Sequence, residues 1–107
     1  MTTELQRVRS SSWGVEYSGT DGRVYILKGV DREYPGKTNA PVYFLRVKSG
    51  SDWKYLSGLF RTSTEGVYSL DLKDGNGVRT LHTMTIAEGG STATIAPGKR
   101  LAATAKG

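Results

Sequence analysis

Alternation with a period of two, broken at short intervals by glycine-bearing turns, is the feature of this sequence that leaves the fewest folds open. Residues 12–18 set Trp13, Val15 and Tyr17 against Gly14, Glu16 and Ser18, the pattern of a strand with one buried face. Gly19-Thr20-Asp21-Gly22 is turn chemistry and leads into a second strand over 23–30, so the two form a hairpin. A third strand over 41–48 places Tyr43, Leu45 and Val47 on one face and Val42, Phe44, Arg46 and Lys48 on the other, which is half basic. Residues 53–61 form a fourth, in which Gly58 marks a bulge or a close backbone approach. A fifth over 67–72 groups Tyr68, Leu70 and Leu72. The following Asp74-Gly75-Asn76-Gly77 is the strongest hairpin signal in the chain and pairs that strand with one over 78–87. A short strand over 92–96 completes the series. No stretch carries the i, i+3, i+4, i+7 spacing of a long helix. Six or seven short strands of this kind predict an all-β meander, closed or nearly closed into a small antiparallel barrel that is OB-like or SH3-like and leaves few edges exposed.

Composition sets the limits of that barrel. A chain of 107 residues is one domain, and its 22 Leu, Ile, Val and Phe residues stand just above the ~20% below which a charged chain stays disordered. Residues 1–11 and 97–107 offer little to bury. They read as a flexible N-terminal arm and a basic, flexible C-terminal tail on either side of a single domain over 12–96. There is no cysteine, hence no disulfide framework, thiolate metal site or thiol nucleophile. No apolar run approaches the ~18 residues of a membrane helix, and Met1-Thr2-Thr3-Glu4 lacks the apolar segment of a signal peptide. The expected location is therefore the cytoplasm of a host cell or a virion, with no membrane partner.

Catalysis finds little support. His82 is the sole histidine, and the alternation of its strand sets it among Val78, Thr80, Met84 and Ile86, as a buried or half-buried structural residue. The serines lie in glycine-rich turns without a nucleophile elbow, and no phosphate-cradling glycine loop with its lysine is present. Asp71, Asp74, Gly75 and Asn76 have part of a calcium-loop pattern, but position 82, where the closing glutamate would fall, is histidine, and a hairpin turn explains the same residues. No enzyme activity, metal or other cofactor is expected.

The distribution of charge is more informative than the net +5. Residues 22–48 carry six cations against two acids, and 78–107 carry four against one; the segments between and before them are slightly acidic. In the first basic block Arg23, Lys28, Arg32, Lys37, Arg46 and Lys48 are interleaved with Tyr25, Tyr34, Tyr43 and Phe44. Single-stranded nucleic acid is held by this mixture, because cations neutralise phosphates while aromatic faces stack on any base. Most aromatics of a β domain belong to its packing. Tyr34, beside Pro35 in the polar loop over 31–41, has little core to join. Trp13 and Trp53 each follow a turn and begin a strand, as barrel plugs or as exposed platforms.

Two sets of residues resemble known families. Asn39-Ala40-Pro41 with Tyr43, Arg46-Val47, and Arg61-Thr62-Ser63 followed by Glu65-Gly66, Tyr68-Ser69-Leu70 and Leu72-Lys73-Asp74 are similar to small uncharacterised proteins carried by plasmids and phages. Gly22-Arg23-Val24-Tyr25 with Leu27 and Gly29, and Tyr55-Leu56-Ser57-Gly58, resemble the core of small phage proteins regarded as single-stranded DNA-binding barrels. The resemblance spans about residues 22–86 and implies a barrel of mobile-element origin; it assigns no binding residues.

The leading expectation is a non-enzymatic module that binds single-stranded DNA or RNA. Lys28, Arg32, Lys37, Arg46, Lys48 and Lys54 would hold phosphates. Tyr34, Phe44 and Trp53 would stack on bases, and Lys99 and Arg100 of the tail would add sequence-independent attraction. Two alternatives belong to other classes. One is a virion or assembly protein that self-associates through strand edges and termini, making a homo-oligomer; the other is a small phage inhibitor of a host protein.

Overall fold

The computed structural model describes residues 2–31, 40–73 and 76–98. Their eight strands close into one antiparallel barrel in sequential order: β1 (Thr3–Ser11), β2 (Gly14–Gly19), β3 (Val24–Gly29), β4 (Tyr43–Ser49), β5 (Asp52–Arg61), β6 (Val67–Lys73), β7 (Arg79–Ile86) and β8 (Thr92–Pro97). The only helical piece among the described residues is a 3-10 turn at Glu88–Gly90, so none is long and apolar enough to cross a membrane. The all-β antiparallel barrel agrees with the alternation of the sequence. The sequential path is the expected meander, but the strand count differs: eight strands stand where six or seven were expected. The sequential order also differs from the Greek-key path of an OB-fold.

The extra strand is β1, over residues expected to form a flexible arm. It pairs with β2 from Leu5↔Gly19 to Ser11↔Gly14 and with β8 from Thr3↔Ile95 to Gln6↔Thr92, and so closes the barrel. Only Leu5 of this strand is buried, which is why alternation does not reveal it. Its order comes from two backbone ladders, which any side chain except proline can supply.

Inward positions of the strands fill the barrel. Leu5, Tyr17, Tyr25, Leu27, Leu45, Val47, Leu59, Leu70, Met84, Ala93 and Ile95 form one buried cluster. Eight strands enclose a space that side chains can fill, so this is a packed core. The two deepest tyrosines satisfy their hydroxyls. Tyr17 donates to the Gly90 carbonyl at 2.8 Å, and Tyr25 donates to Asp21 at 2.6 Å within the β2–β3 turn. Burial, reinforced by the Asp21 carboxylate, pushes the Tyr25 phenol up to about 12. His82 is half-buried, opposite Leu70 and Pro97, with Nδ1 2.8 Å from the Thr80 carbonyl.

Two irregularities decide which residues reach the outside. In β5 the register slips between Leu45↔Ser57 and Arg46↔Tyr55, leaving Leu56 as the extra residue. Trp53, Tyr55, Ser57 and Leu59 would share one face of a regular strand. The bulge sends Trp53 and Tyr55 outward and keeps Ser57 and Leu59 inside. Of the two roles open to Gly58, the bulge lies two residues away and the close approach is the one found: a β-carbon there would stand 3.0 Å from the Pro41 side chain. The second irregularity is the tight β1–β2 turn. Trp13 lies in it and not in the strand, so it departs from the inward row of Val15 and Tyr17 and is 73% exposed. Gly14 makes this turn feasible, with φ of 132° and a backbone so near Leu27 that a β-carbon would meet its carbonyl oxygen at 2.6 Å.

The seams are unequal. β5 and β6 pair at Phe60↔Ser69 and Arg61↔Tyr68 and then diverge. Past that point the buried Ser57 hydroxyl, donating to the Gly58 carbonyl at 2.8 Å, accepts from the Asp71 backbone N–H at 3.4 Å, so a side chain spans the seam in place of a ladder bond.

Candidate functional site

The outward positions of β3, β4 and β5 form one surface. Cross-strand register sets Ile26 beside Arg46 and Arg46 beside Tyr55, Lys28 beside Phe44, and Lys48 beside Trp53. Trp13 reaches the same surface from its turn. Trp13, Ile26, Lys28, Arg46 and Trp53 line a cleft of about 430 Å³. Ile26 is its floor. Although it faces away from the interior, Ile26 is only 6% exposed and lies outside the core cluster, because the surrounding rings and aliphatic stems cover it.

Every cation of this surface stands against an aromatic ring. The Lys28 ammonium is 5.8 Å from the Trp13 ring centre and the Lys48 ammonium 5.1 Å from that of Trp53. The Arg46 guanidinium is shared, 5.8 Å from Phe44 and 6.0 Å from Tyr55, and those two rings meet edge-to-face at 6.0 Å. Such contacts fix the positions of side chains that would otherwise sample many rotamers. None of the three cations has a carboxylate partner among the described residues. The one ion pair there joins Arg9 to Glu16 at 3.3 Å, and it occupies the carboxylate that faces Ile26 across the strand pair.

Five of the residues singled out in the sequence therefore meet here: Lys28, Phe44, Arg46, Lys48 and Trp53. Lys54 does not join them. It stands opposite Val47, on the alternate side of β5 from Trp53. Arg32, Tyr34, Lys37, Lys99 and Arg100 lie outside the described residues. The residues that sequence reasoning left out are Ile26 and Tyr55, and it left Trp13 undecided between core and surface. Tyr55 and Trp13 had no signal of their own, since one depends on the bulge at Leu56 and the other on the turn at Gly14.

The chain matches no protein-family model, no curated protein and no solved structure. The surface offers ring faces, three cations with spare hydrogen-bond donors and an apolar floor. It offers no grouping of histidine and acidic side chains suited to a metal ion among the described residues.

Proposed function

We propose that this chain is a non-enzymatic module that binds single-stranded nucleic acid across the outer face of β3, β4 and β5. The observation that carries the reading is the convergence of both tryptophans of the chain on one cleft with Lys28 and Arg46, with Lys48 against the second ring. Phosphates are the natural partners of cations that lack carboxylates. Once phosphates draw the lysines aside, the exposed rings are free to stack on bases, a contact worth about 1–3 kcal/mol per base. Duplex DNA fits less well, because its bases are already stacked and the convex barrel wall has neither a helix nor a ribbon to enter a groove.

The test is anisotropy of a labelled single-stranded oligonucleotide titrated with the protein at low and at physiological salt. With three described cations engaged, log affinity should fall against log salt with a slope near −2, from about −0.7 per phosphate contact. Absence of binding, or binding indifferent to salt, contradicts the proposal. Light scattering on the same samples separates it from the assembly alternative: self-association without the strand favours a structural subunit.

A further inference from the structure

We infer that Arg9 is a positioning residue for this face: by holding the Glu16 carboxylate it keeps that acid off Lys28 and leaves the ammonium for phosphate; this rests on the nucleic-acid reading above. Glu16 is the outward residue of β2 directly across from Ile26, the cleft floor. Lys28 stands two residues along β3 from Ile26 on the same outward face, which makes it a diagonal neighbour of Glu16. Diagonal positions are about 7–8 Å apart, a gap that two long side chains can close. The other diagonal position on β3 is Val24, which is apolar.

Arg9 reaches Glu16 because the β1–β2 ladder slips. Arg7 pairs with Tyr17 and Arg9 with Glu16, so Val8 is the extra residue, and it is 53% exposed. In an unbroken ladder Val8 would face Glu16, and no cation would stand opposite the acid. The bulge puts Arg9 there, with Nε 3.3 Å from the carboxylate. The Glu16 side chain is only 20% exposed against 67% for Arg9, so the acid has little water of its own and requires a partner. Arg7, the other cation of β1, is engaged elsewhere and donates to the Gly89 carbonyl at 3.2 Å. Arg46 is one strand further, beyond Ile26, and stands against Phe44 and Tyr55. With Arg9 removed, the next cation in the register is therefore Lys28. A Glu16–Lys28 pair would occupy an ammonium that the strand needs and set a carboxylate where phosphate has to lie.

The experiment is a double-variant cycle on the binding of a labelled dT oligonucleotide of about 12 nucleotides, with affinity read at several salt concentrations. Arg9→Ala should weaken binding about threefold at low salt, within the range of a single exposed ion pair, and make the salt slope shallower by about 0.7, as loss of Lys28 would. In a Glu16→Gln background no carboxylate is there to be held, so the same Arg9→Ala change should cost less than about 1.5-fold and leave the slope in place. Equal losses in the two backgrounds would make Arg9 a phosphate contact or a support of β1, and no loss in either would make the pair idle. Both results overturn the inference and leave the binding function standing. Failure of the unaltered chain to bind the strand removes both.

Discussion

The two sides of the barrel are built from the same ladder and the same glycine turns, yet their outer faces differ in kind. On β6, β7 and β8 the outward positions hold Ser69, Thr83, Thr85 and Thr94 with aliphatic neighbours. Their cations, Lys73 and Arg79, face each other at the hairpin end, and no outward residue there is aromatic. On β3, β4 and β5 the equivalent positions hold Lys28, Phe44, Arg46, Lys48, Trp53 and Tyr55. Hydroxyl and β-branched side chains suffice for a pleated outer surface, as the first side demonstrates. The aromatic and cationic load of the second side, with Trp13 at 73% and Tyr55 at 53% exposure, therefore exceeds what folding requires. A surface that exceeds the needs of the fold points to an interaction.

The contrast can be broken most severely at the rings. Replacing both tryptophans, Trp13→Ala with Trp53→Ala, should weaken oligonucleotide binding by about 2–6 kcal/mol through two lost stacking faces. The thermal midpoint should fall only modestly, because the rings cover Ile26 from outside but neither belongs to the core. A double variant that unfolds, measured by circular dichroism, would show instead that the rings serve the barrel.

A smaller effect separates the layer beneath that face from the face itself. Tyr25 lies on the inward side of β3, and Tyr25→Phe should cost about 1 kcal/mol of stability with the lost Asp21 contact while leaving binding intact. Its pH dependence has a defined sign. The folded phenol is held near 12 and the unfolded one ionises near 10, so the stabilisation it provides is complete below pH 10 and is lost as pH rises from 10 toward 12. Tyrosinate absorbance during an alkaline titration should show a late step, to which Tyr17 and Tyr68, also raised by burial, contribute, and Tyr25→Phe should lower its amplitude by one phenol.

Next come the cations. Lys28→Ala, Arg46→Ala or Lys48→Ala should each make the salt slope shallower by about 0.7, read from affinities at several salt concentrations. Thr85→Ala and Thr94→Ala, on the opposite side, define the least effect. Their stability changes should stay within about 0.5 kcal/mol and their affinities should match that of the unaltered chain. Loss of binding in either would erase the distinction between the two faces.

Much of this was legible in the chain. The alternation in Tyr43, Leu45 and Val47, or in Tyr68, Leu70 and Leu72, follows directly from one buried face, and the structure has both rows turned inward. The alternate row of β4 likewise announced Phe44, Arg46 and Lys48 as an outer basic surface. What could not be read was of two kinds. β1 is held by hydrogen bonding on both sides with one buried side chain, Leu5, so apolar periodicity carries almost no trace of it. The second kind is a change of phase. Parity along residues 53–59 puts Trp53 and Tyr55 with Leu59, and only the extra residue at Leu56 separates the two outward rings from the core. Bulges are fixed by the partner strand and the closure of the barrel, which a local pattern does not contain.

The central claim, that this face holds single-stranded nucleic acid, meets its most direct test in the intrinsic fluorescence of the protein. Both tryptophans of the chain line the cleft, so their emission reports on the site without a label. Titration with an unlabelled dT oligonucleotide should quench that emission saturably at low salt, and raising the salt should shift the midpoint to higher oligonucleotide concentration. Emission unchanged by an oligonucleotide at concentrations where anisotropy reports binding would place the nucleic acid elsewhere on the molecule and contradict the account.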